Sequence, residues 1–384
     1  MNTNLGLYIH IPFCAKKCDY CDFYSLTGAD DKLMNRYAAA LISHIEETAR
    51  FTGKSAKGRG LSVETVYFGG GTPTLFGASR LSKVLGALQK HYDFAASSEI
   101  TLEANPGTVT FKELKKLRKA GFNRISFGVQ AVQPELLKAL GRIHTAEQAA
   151  DAVRDAQKAG FDNISVDLLY GLPGQTAEMV TESLQSVFTW KVQHISFYGL
   201  KLEEGTPLHA LQPELPSSDE QADVYLAAVE LMREKGFEQY EISNFALRSY
   251  LCRHNMRYWT LDPYIGLGPA AHSDFGGRRY ANIKDVKAYI EGVSTGGAVI
   301  EDGQTVTLPL VERAGEYIML GLRTVRGISS NEYTRLFKAS FDSLEKKLEQ
   351  CAKWELAERQ GDRWRLTPKG FLVSNRIIGE LLDV

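Results

Sequence analysis

The chain has 384 residues, with 45 Lys and Arg against 46 Asp and Glu for a formal net charge of −1, and 44% of its residues are apolar. That apolar fraction at near-zero net charge can bury a core, which excludes wholesale disorder, and the Gly and Pro residues show no collagen-like period. Balanced charge argues against a protein held to nucleic acid mainly by phosphate contacts.

The first residues, Met1 to Leu7, contain no Lys or Arg and no small-residue cleavage site, so they do not read as a signal peptide. No apolar run approaches the ~20 residues needed to cross a bilayer. The expectation is a cytoplasmic protein, with peripheral membrane contact left open. From here to about residue 245, short β-branched runs alternate with helical patterns. Strands are predicted at Leu5–Ile11, Val63–Phe68, Glu99–Ala104, Arg124–Val129, Asn163–Leu169, His194–Gly199 and Phe237–Ser243. Between them, segments such as Thr145–Ala159 place Ala149, Val153 and Ala156 on one helical face. Strands separated by helices imply βαβ units and a parallel sheet. Lys119-Ala-Gly-Phe-Asn-Arg-Ile-Ser126 recurs as Lys158-Ala-Gly-Phe-Asp-Asn-Ile-Ser165, with a weaker echo at Lys235-Gly-Phe237. Each copy ends a helix on Gly and starts a strand. Such repetition suggests a barrel or part of one, with an open doubly wound sheet as the alternative.

Residues 246–295 are rich in Gly, Tyr, His and Arg and read as loops and short elements. Helices follow at Val311–Leu322, Ser329–Phe337 and Ser343–Cys351, then a short strand at Trp364–Leu366 and a last helix. Helices followed by a hairpin resemble a winged-helix module, read here as a cap on the barrel in preference to a DNA-binding module because the charge is neutral. The expected domains are residues 1–245 (core barrel), 246–300 (extension) and 301–384 (C-terminal helical domain).

Of five cysteines, Cys14, Cys18 and Cys21 are clustered with C-x3-C-x2-C spacing directly after the first predicted strand. Structural zinc normally takes four ligands, often in C-x2-C pairs, and Cys252 and Cys351 are single and distant. A redox dithiol would need only two residues. Three thiolates on a four-iron cluster leave one iron without a protein ligand, open to the amino and carboxylate groups of S-adenosylmethionine. The spacing resembles the radical SAM superfamily, in which the cofactor supplies the difficult chemistry and the protein positions it.

Other motifs converge on that chemistry. Thr65-Val-Tyr-Phe68 runs into Gly69-Gly-Gly71-Thr72, where glycines expose backbone N–H groups to a ligand, and no phosphate-loop lysine is present. Glu103, Gln130 and Asp167 fall at or near the C-terminal ends of successive strands, the edge that carries the active site in βα barrels. Carboxylates there can attract a sulfonium cation or accept from ribose hydroxyls. Arg142, in Leu140-Gly-Arg-Ile-His144, offers a planar fork for a carboxylate.

Together, Tyr8-Ile-His-Ile-Pro-Phe-Cys14, the GGGTPT run, Glu103-Ala-Asn-Pro-Gly107, Gly128-Val-Gln130, Asp167-Leu-Leu-Tyr-Gly-Leu-Pro173 and His254-Asn-Met-Arg-Tyr-Trp259 resemble the oxygen-independent coproporphyrinogen III oxidase-like branch of radical SAM proteins. The resemblance covers nearly the whole chain. It implies a partial (β/α)6 barrel with a small winged-helix-like C-terminal domain and a [4Fe-4S] cluster on Cys14, Cys18 and Cys21. It further implies S-adenosylmethionine contacts by Tyr8, Gly70, Gly71, Thr72, Glu103, Gln130, Arg142 and Asp167.

The branch holds oxidases and heme chaperones. True oxidases resemble C-x3-C-x2-C-x-C, whereas position 23 here is Phe23, and they carry a longer segment ahead of the first strand than the thirteen residues preceding Cys14. Both departures argue against propionate decarboxylation. A neutral His254 is a good axial ligand for heme iron, Tyr258 and Trp259 can stack on a porphyrin, and Arg253 or Arg257 can pair with propionates. The expected function is therefore a heme chaperone that passes heme to respiratory acceptor proteins, with no residue assigned a catalytic role. The alternatives are anaerobic coproporphyrinogen III oxidation and, more distantly, a zinc-bearing nucleic-acid binder.

Overall fold

The computed structural model describes residues 4–54, 61–297 and 299–383. The chain divides into two compact units, residues 1–216 with 262–306 and residues 217–261 with 307–384.

The first unit is built on six parallel strands, β1 (Asn4–Ile11), β2 (Ser62–Gly70), β3 (Asp93–Ala104), β4 (Arg124–Gln130), β5 (Ile164–Tyr170) and β6 (His194–Gly199), each paired with the next. The crossovers carry α1 (Asp31–Thr52), α2 (Ala78–His91), α3 (Phe111–Ala120), α4 (Pro134–Ala139), α5 (Ala146–Lys158) and α6 (Ala177–Thr189). Their starts are written locally. Thr110 with Glu113 and Thr145 with Gln148 form capping boxes, satisfying backbone donors that a helix N-terminus leaves open. Gly121 then ends α3 at φ 120°, which few other residues adopt, and β4 begins three residues later. All seven residues of β4 are buried, as a strand covered on both faces requires. The α/β fold with a mainly parallel sheet matches the expectation, and all six strands overlap their predicted positions, β3 starting six residues earlier than predicted.

Residues 246–295 are more ordered than their composition suggested. β7 (Tyr264–Leu267) pairs parallel with the free edge of β1, and β8 (His272–Phe275) and β9 (Arg278–Ala281) continue antiparallel. α7 (Val286–Thr295) then packs on α1, with His44 Nδ1 2.8 Å from the Tyr289 hydroxyl. Four-residue strands lie below the reach of periodicity.

The second unit contains helices Ser218–Glu234 and Arg253–Trp259 with a hairpin between them (Glu238–Glu241, Asn244–Ala246). Helices Leu310–Gly321, Ser330–Phe337 and Asp342–Lys353 follow, and a hairpin (Ala357–Gln360, Arg363–Leu366) adds strand Ile328–Ser329 to its edge. This helix, strand, two helices and hairpin is the winged-helix order. Ile318, Leu322, Leu348, Trp364, Phe371 and Ile378 fill its core. Residues 217–245, expected in the barrel, group here because Ile242 N–H donates to Arg323 O (2.9 Å) and Val325 N–H to Tyr240 O (3.0 Å). Residues 262–306 instead join the first unit, so the observed division differs from the one expected at 245 and 300. Among the described residues no helix is long and apolar enough to cross a membrane.

Candidate functional site

The three cysteines sit on the loop that leaves β1. Phe13–Cys14 pairs with Leu26–Thr27, closing residues 14–26 into a compact excursion, and Leu26 N–H donates to Pro12 O at 2.7 Å. Asp19 fastens its middle from both sides, donating its N–H to Leu140 O (3.1 Å) and accepting from Leu208 N–H (2.7 Å). All three thiols are free and half-buried. Each sulfur has its own donor. The Thr72 hydroxyl lies 3.7 Å from Cys14, the Arg142 guanidinium 3.3 Å from Cys18, and the Phe23 backbone N–H donates to Cys21. Among the described residues no three His, Cys, Asp or Glu side chains close on one point as a single ion needs. A four-iron cluster makes no such demand, since each thiolate takes a different iron.

The glycine run is shaped around this loop. Gly71 N–H donates to Ile11 O (2.9 Å) and Thr72 N–H to Phe13 O (2.7 Å). A Cβ on Gly71 would lie 2.7 Å from Phe13 O and 3.0 Å from Cys14 Sγ, and one on Gly70, at φ 115°, would meet the His10 ring at 2.6 Å. Glycine is thus required by close approach, and the space is kept beside the sulfur.

From the strand ends, Glu103, Gln130 and Asp167 reach the same pocket as Cys14, Cys18, Cys21, Gly70, Gly71, Thr72 and Arg142, with Phe23 at 65% exposure on its lining. Glu103 accepts from the Tyr67 hydroxyl (2.8 Å) and Gly70 N–H (3.1 Å), yet burial, reinforced by nearby Asp167, pushes its carboxyl up to about 7. Asp167 is also raised by burial, against hydrogen bonds from Ser196 and Ser126. Gln130 sits at φ 73° with Ala131 N–H bonded to Val129 O (3.0 Å), a γ-turn that breaks the β4–β5 register and redirects its side chain. Tyr8 stands one step back, its ring 6.3 Å from Tyr67 and its hydroxyl on His10 Nδ1 (3.1 Å).

Arg142 is committed more deeply than a carboxylate fork. Besides Cys18, it donates through Nη2 to Asn105 Oδ1 (2.8 Å) and to Gly128 O, while its buried Nε has no partner among the described residues. Asn105 was not singled out by sequence. Its Nδ2 donates to Thr72 (2.8 Å), so one amide joins the two side chains that reach Cys14 and Cys18. Its position two residues after Glu103, before Pro106, resembles an ordinary turn, which concealed it.

His254 lies in the second unit. It is fully buried, with Nε2 2.9 Å from the Tyr258 hydroxyl and the two rings edge to face at 5.3 Å. Arg257 is buried as well.

Residues 8–187 match the radical SAM superfamily model and residues 308–373 the HemN C-terminal domain. The heme chaperone HemW of Lactococcus lactis is 34% identical, with 98% of this chain and 96% of that protein aligned. The chain belongs to the HemW family. HemW of Bacillus subtilis is also 34% identical, with 98% of each chain covered, and HemW of Escherichia coli 31%, with 97% of each. The coproporphyrinogen III oxidase HemN of Escherichia coli shares the fold, with a TM-score of 0.85 over 100% of this chain and 90% of its own at 24% identity. HemW membership agrees with the branch to which the sequence motifs pointed. A radical SAM domain implies a [4Fe-4S] cluster and S-adenosylmethionine. The chain's own residues fit both groups: three free thiols with a donor apiece, a Glu103 carboxyl raised by burial, and a buried Arg142 Nε–H with no partner among the described residues.

Proposed function

We propose that this protein is a heme chaperone that holds a four-iron cluster on Cys14, Cys18 and Cys21, binds S-adenosylmethionine beside it, and passes heme to acceptor proteins, respiratory enzymes among them. The likeness to proteins named heme chaperones carries the proposal, because it runs along 98% of this chain and 96% of the Lactococcus protein. Phe23, where the oxidases resemble a fourth cysteine, supports the chaperone over porphyrinogen decarboxylation.

When bound, the cluster and S-adenosylmethionine supply one-electron chemistry at a sulfonium. The chain's part is binding and orientation. Gly70, Gly71 and Thr72 line the pocket beside Cys14 and would meet the methionyl end. Glu103 and Asp167, whose carboxyls are raised by burial, gain from a sulfonium or from ribose hydroxyls, and Gln130 is aimed into the same space by its γ-turn. Arg142 Nε–H is the donor left for a carboxylate. Tyr8 acts at one remove, stacking on the Tyr67 that holds Glu103.

For heme we propose His254 as axial ligand, released when its bond to Tyr258 opens. Three measurements test the reading. Anaerobic iron and sulfide analysis with EPR is expected to give a reducible four-iron cluster, and stoichiometric zinc in its place overturns it. Heme added to wild type is expected to give an axial imidazole spectrum that His254→Ala lacks, and identical spectra remove His254 from the role. Coproporphyrinogen III with reductant and S-adenosylmethionine is expected to stay unconverted, and turnover installs the oxidase instead.

A further inference from the structure

We propose that Arg142 tunes the reduction potential of the cluster through its bond to the Cys18 sulfur, a role separate from meeting the cofactor's carboxylate. The inference rests on the four-iron assignment above.

The guanidinium is fixed from several sides. Nη1 lies 3.3 Å from Cys18 Sγ, and Nη2 bonds Asn105 Oδ1 at 2.8 Å and the Gly128 carbonyl. The backbone holds its base, since Arg142 N–H donates to Leu137 O at 2.9 Å. Gly141 turns the chain at φ 69°, and a Cβ there would meet the Asp19 carboxylate at 2.7 Å. Asp19 follows Cys18 directly, so the arginine's turn and the ligand's own segment are packed without slack. A surface arginine has none of these constraints.

A cation so placed acts on charge. One-electron reduction, with the electron supplied from outside by a reductant, adds a negative charge that the thiolates share. A fixed positive charge and an N–H at one sulfur stabilise that reduced state and raise the potential, because net charge and hydrogen bonds to sulfur are levers on such clusters. The three sulfurs are not equivalent in this respect. Cys18 is hydrogen-bonded by a full cation at 3.3 Å, Cys14 by a neutral hydroxyl at 3.7 Å, and Cys21 by a backbone amide, with Lys17 acting on it only through its charge. The Cys18 sulfur therefore carries the largest share of the effect.

The experiment is potentiometric EPR on the cluster-loaded full chain, with dithionite as one-electron donor and without S-adenosylmethionine. At equal iron and sulfide content, Arg142→Gln is expected to show an about tenfold lower ratio of reduced to oxidised cluster at the wild-type midpoint, a fall of about 59 mV for one electron. Arg142→Lys, which keeps the charge but loses the fork, is expected to fall between the two. An Arg142→Gln midpoint equal to wild type overturns the proposal. If that variant takes up less than a full cluster, Asn105→Ala decides: loosening one clamp lowers the midpoint in the same direction by a smaller amount, and an unchanged midpoint overturns the proposal. A wild-type protein without a four-iron signal defeats the underlying assignment, which is a different outcome.

Discussion

The cysteine pocket and the His254 helix are both rich in functional side chains, but they are in opposite states. In the pocket, polar groups stand half-buried with capacity left for a ligand: the Glu103 carboxyl is held by two neutral donors and still raised by burial, and Arg142 Nε–H has no acceptor among the described residues. At residues 253–259 the histidine is fully covered and its Nε2 already has Tyr258. The pocket is organised for ligands that arrive. The helix is organised for itself, and a ligand there must first displace a neighbour. Cofactor binding on Cys14, Cys18 and Cys21 should therefore be insensitive to local opening, and heme ligation by His254 should depend on it.

The largest expected effect lies in the pocket. Cys18→Ala is expected to lose the cluster entirely, read as iron content and EPR, because the two remaining thiolates leave a second iron without a protein ligand. Retention of a full cluster would show that the loop is not the site. Gly71→Ala comes next. Its Cβ would press on Phe13 O at 2.7 Å, which is backbone and cannot swing away, so a loss of about 1–3 kcal/mol in denaturant unfolding and reduced cluster content are expected.

Glu103 gives a pH signature. Its folded carboxyl, near 7, lies above the usual 4.5, so the folded state holds a proton that the unfolded state has lost between those values. Stability then falls as pH rises from about 4.5 to 7, by up to about 3 kcal/mol. Glu103→Gln is expected to remove that fall, leaving the cofactor-free variant the more stable at pH 8 and close to wild type near pH 4, while it binds S-adenosylmethionine more weakly. Parallel melting profiles across this range would refute the burial argument.

The smallest effect sharpens the other side of the comparison. If His254 must leave Tyr258 to reach heme iron, Tyr258→Phe removes a bond of about 0.5–1.5 kcal/mol and tightens heme binding two- to tenfold, the reverse of His254→Ala. Weaker binding in Tyr258→Phe would mean that Tyr258 supports the bound heme.

Sequence revealed most of the pocket because its parts lie at strand ends, where short motifs coincide with the chemistry. The cysteine spacing, the glycine run, Glu103 and Asp167 needed no long-range information. Asn105 and the backbone of Gln130 did. Asn105 matters only because Thr72 and Arg142 arrive on either side of it, and a φ of 73° at a glutamine leaves no trace in composition. β7 was lost for a similar reason, since Tyr264–Leu267 becomes a strand by finding the edge of β1 more than 250 residues earlier. The grouping of residues 217–261 with the C-terminal helices depends on backbone bonds to residues 323 and 325. For His254 the motif was visible and its burial was not.

The two bonds of Asp19 also set an order of events in synthesis. Its partners, Leu140 and Leu208, lie far downstream of the cysteines that its loop presents. At about 5–20 residues per second, 208 − 21 = 187 residues separate translation of Cys21 from that of Leu208, a delay of roughly 10–40 s. The cysteine loop gains the Leu208 tether only once the six parallel strands have been made, and Val286 N–H adds another, on the Tyr24 hydroxyl (3.1 Å), later still. On the proposed cluster assignment, insertion into the finished site is expected to come late in the life of the nascent chain, and a ribosome-bound fragment ending before Leu208 should hold iron less firmly than one ending beyond it.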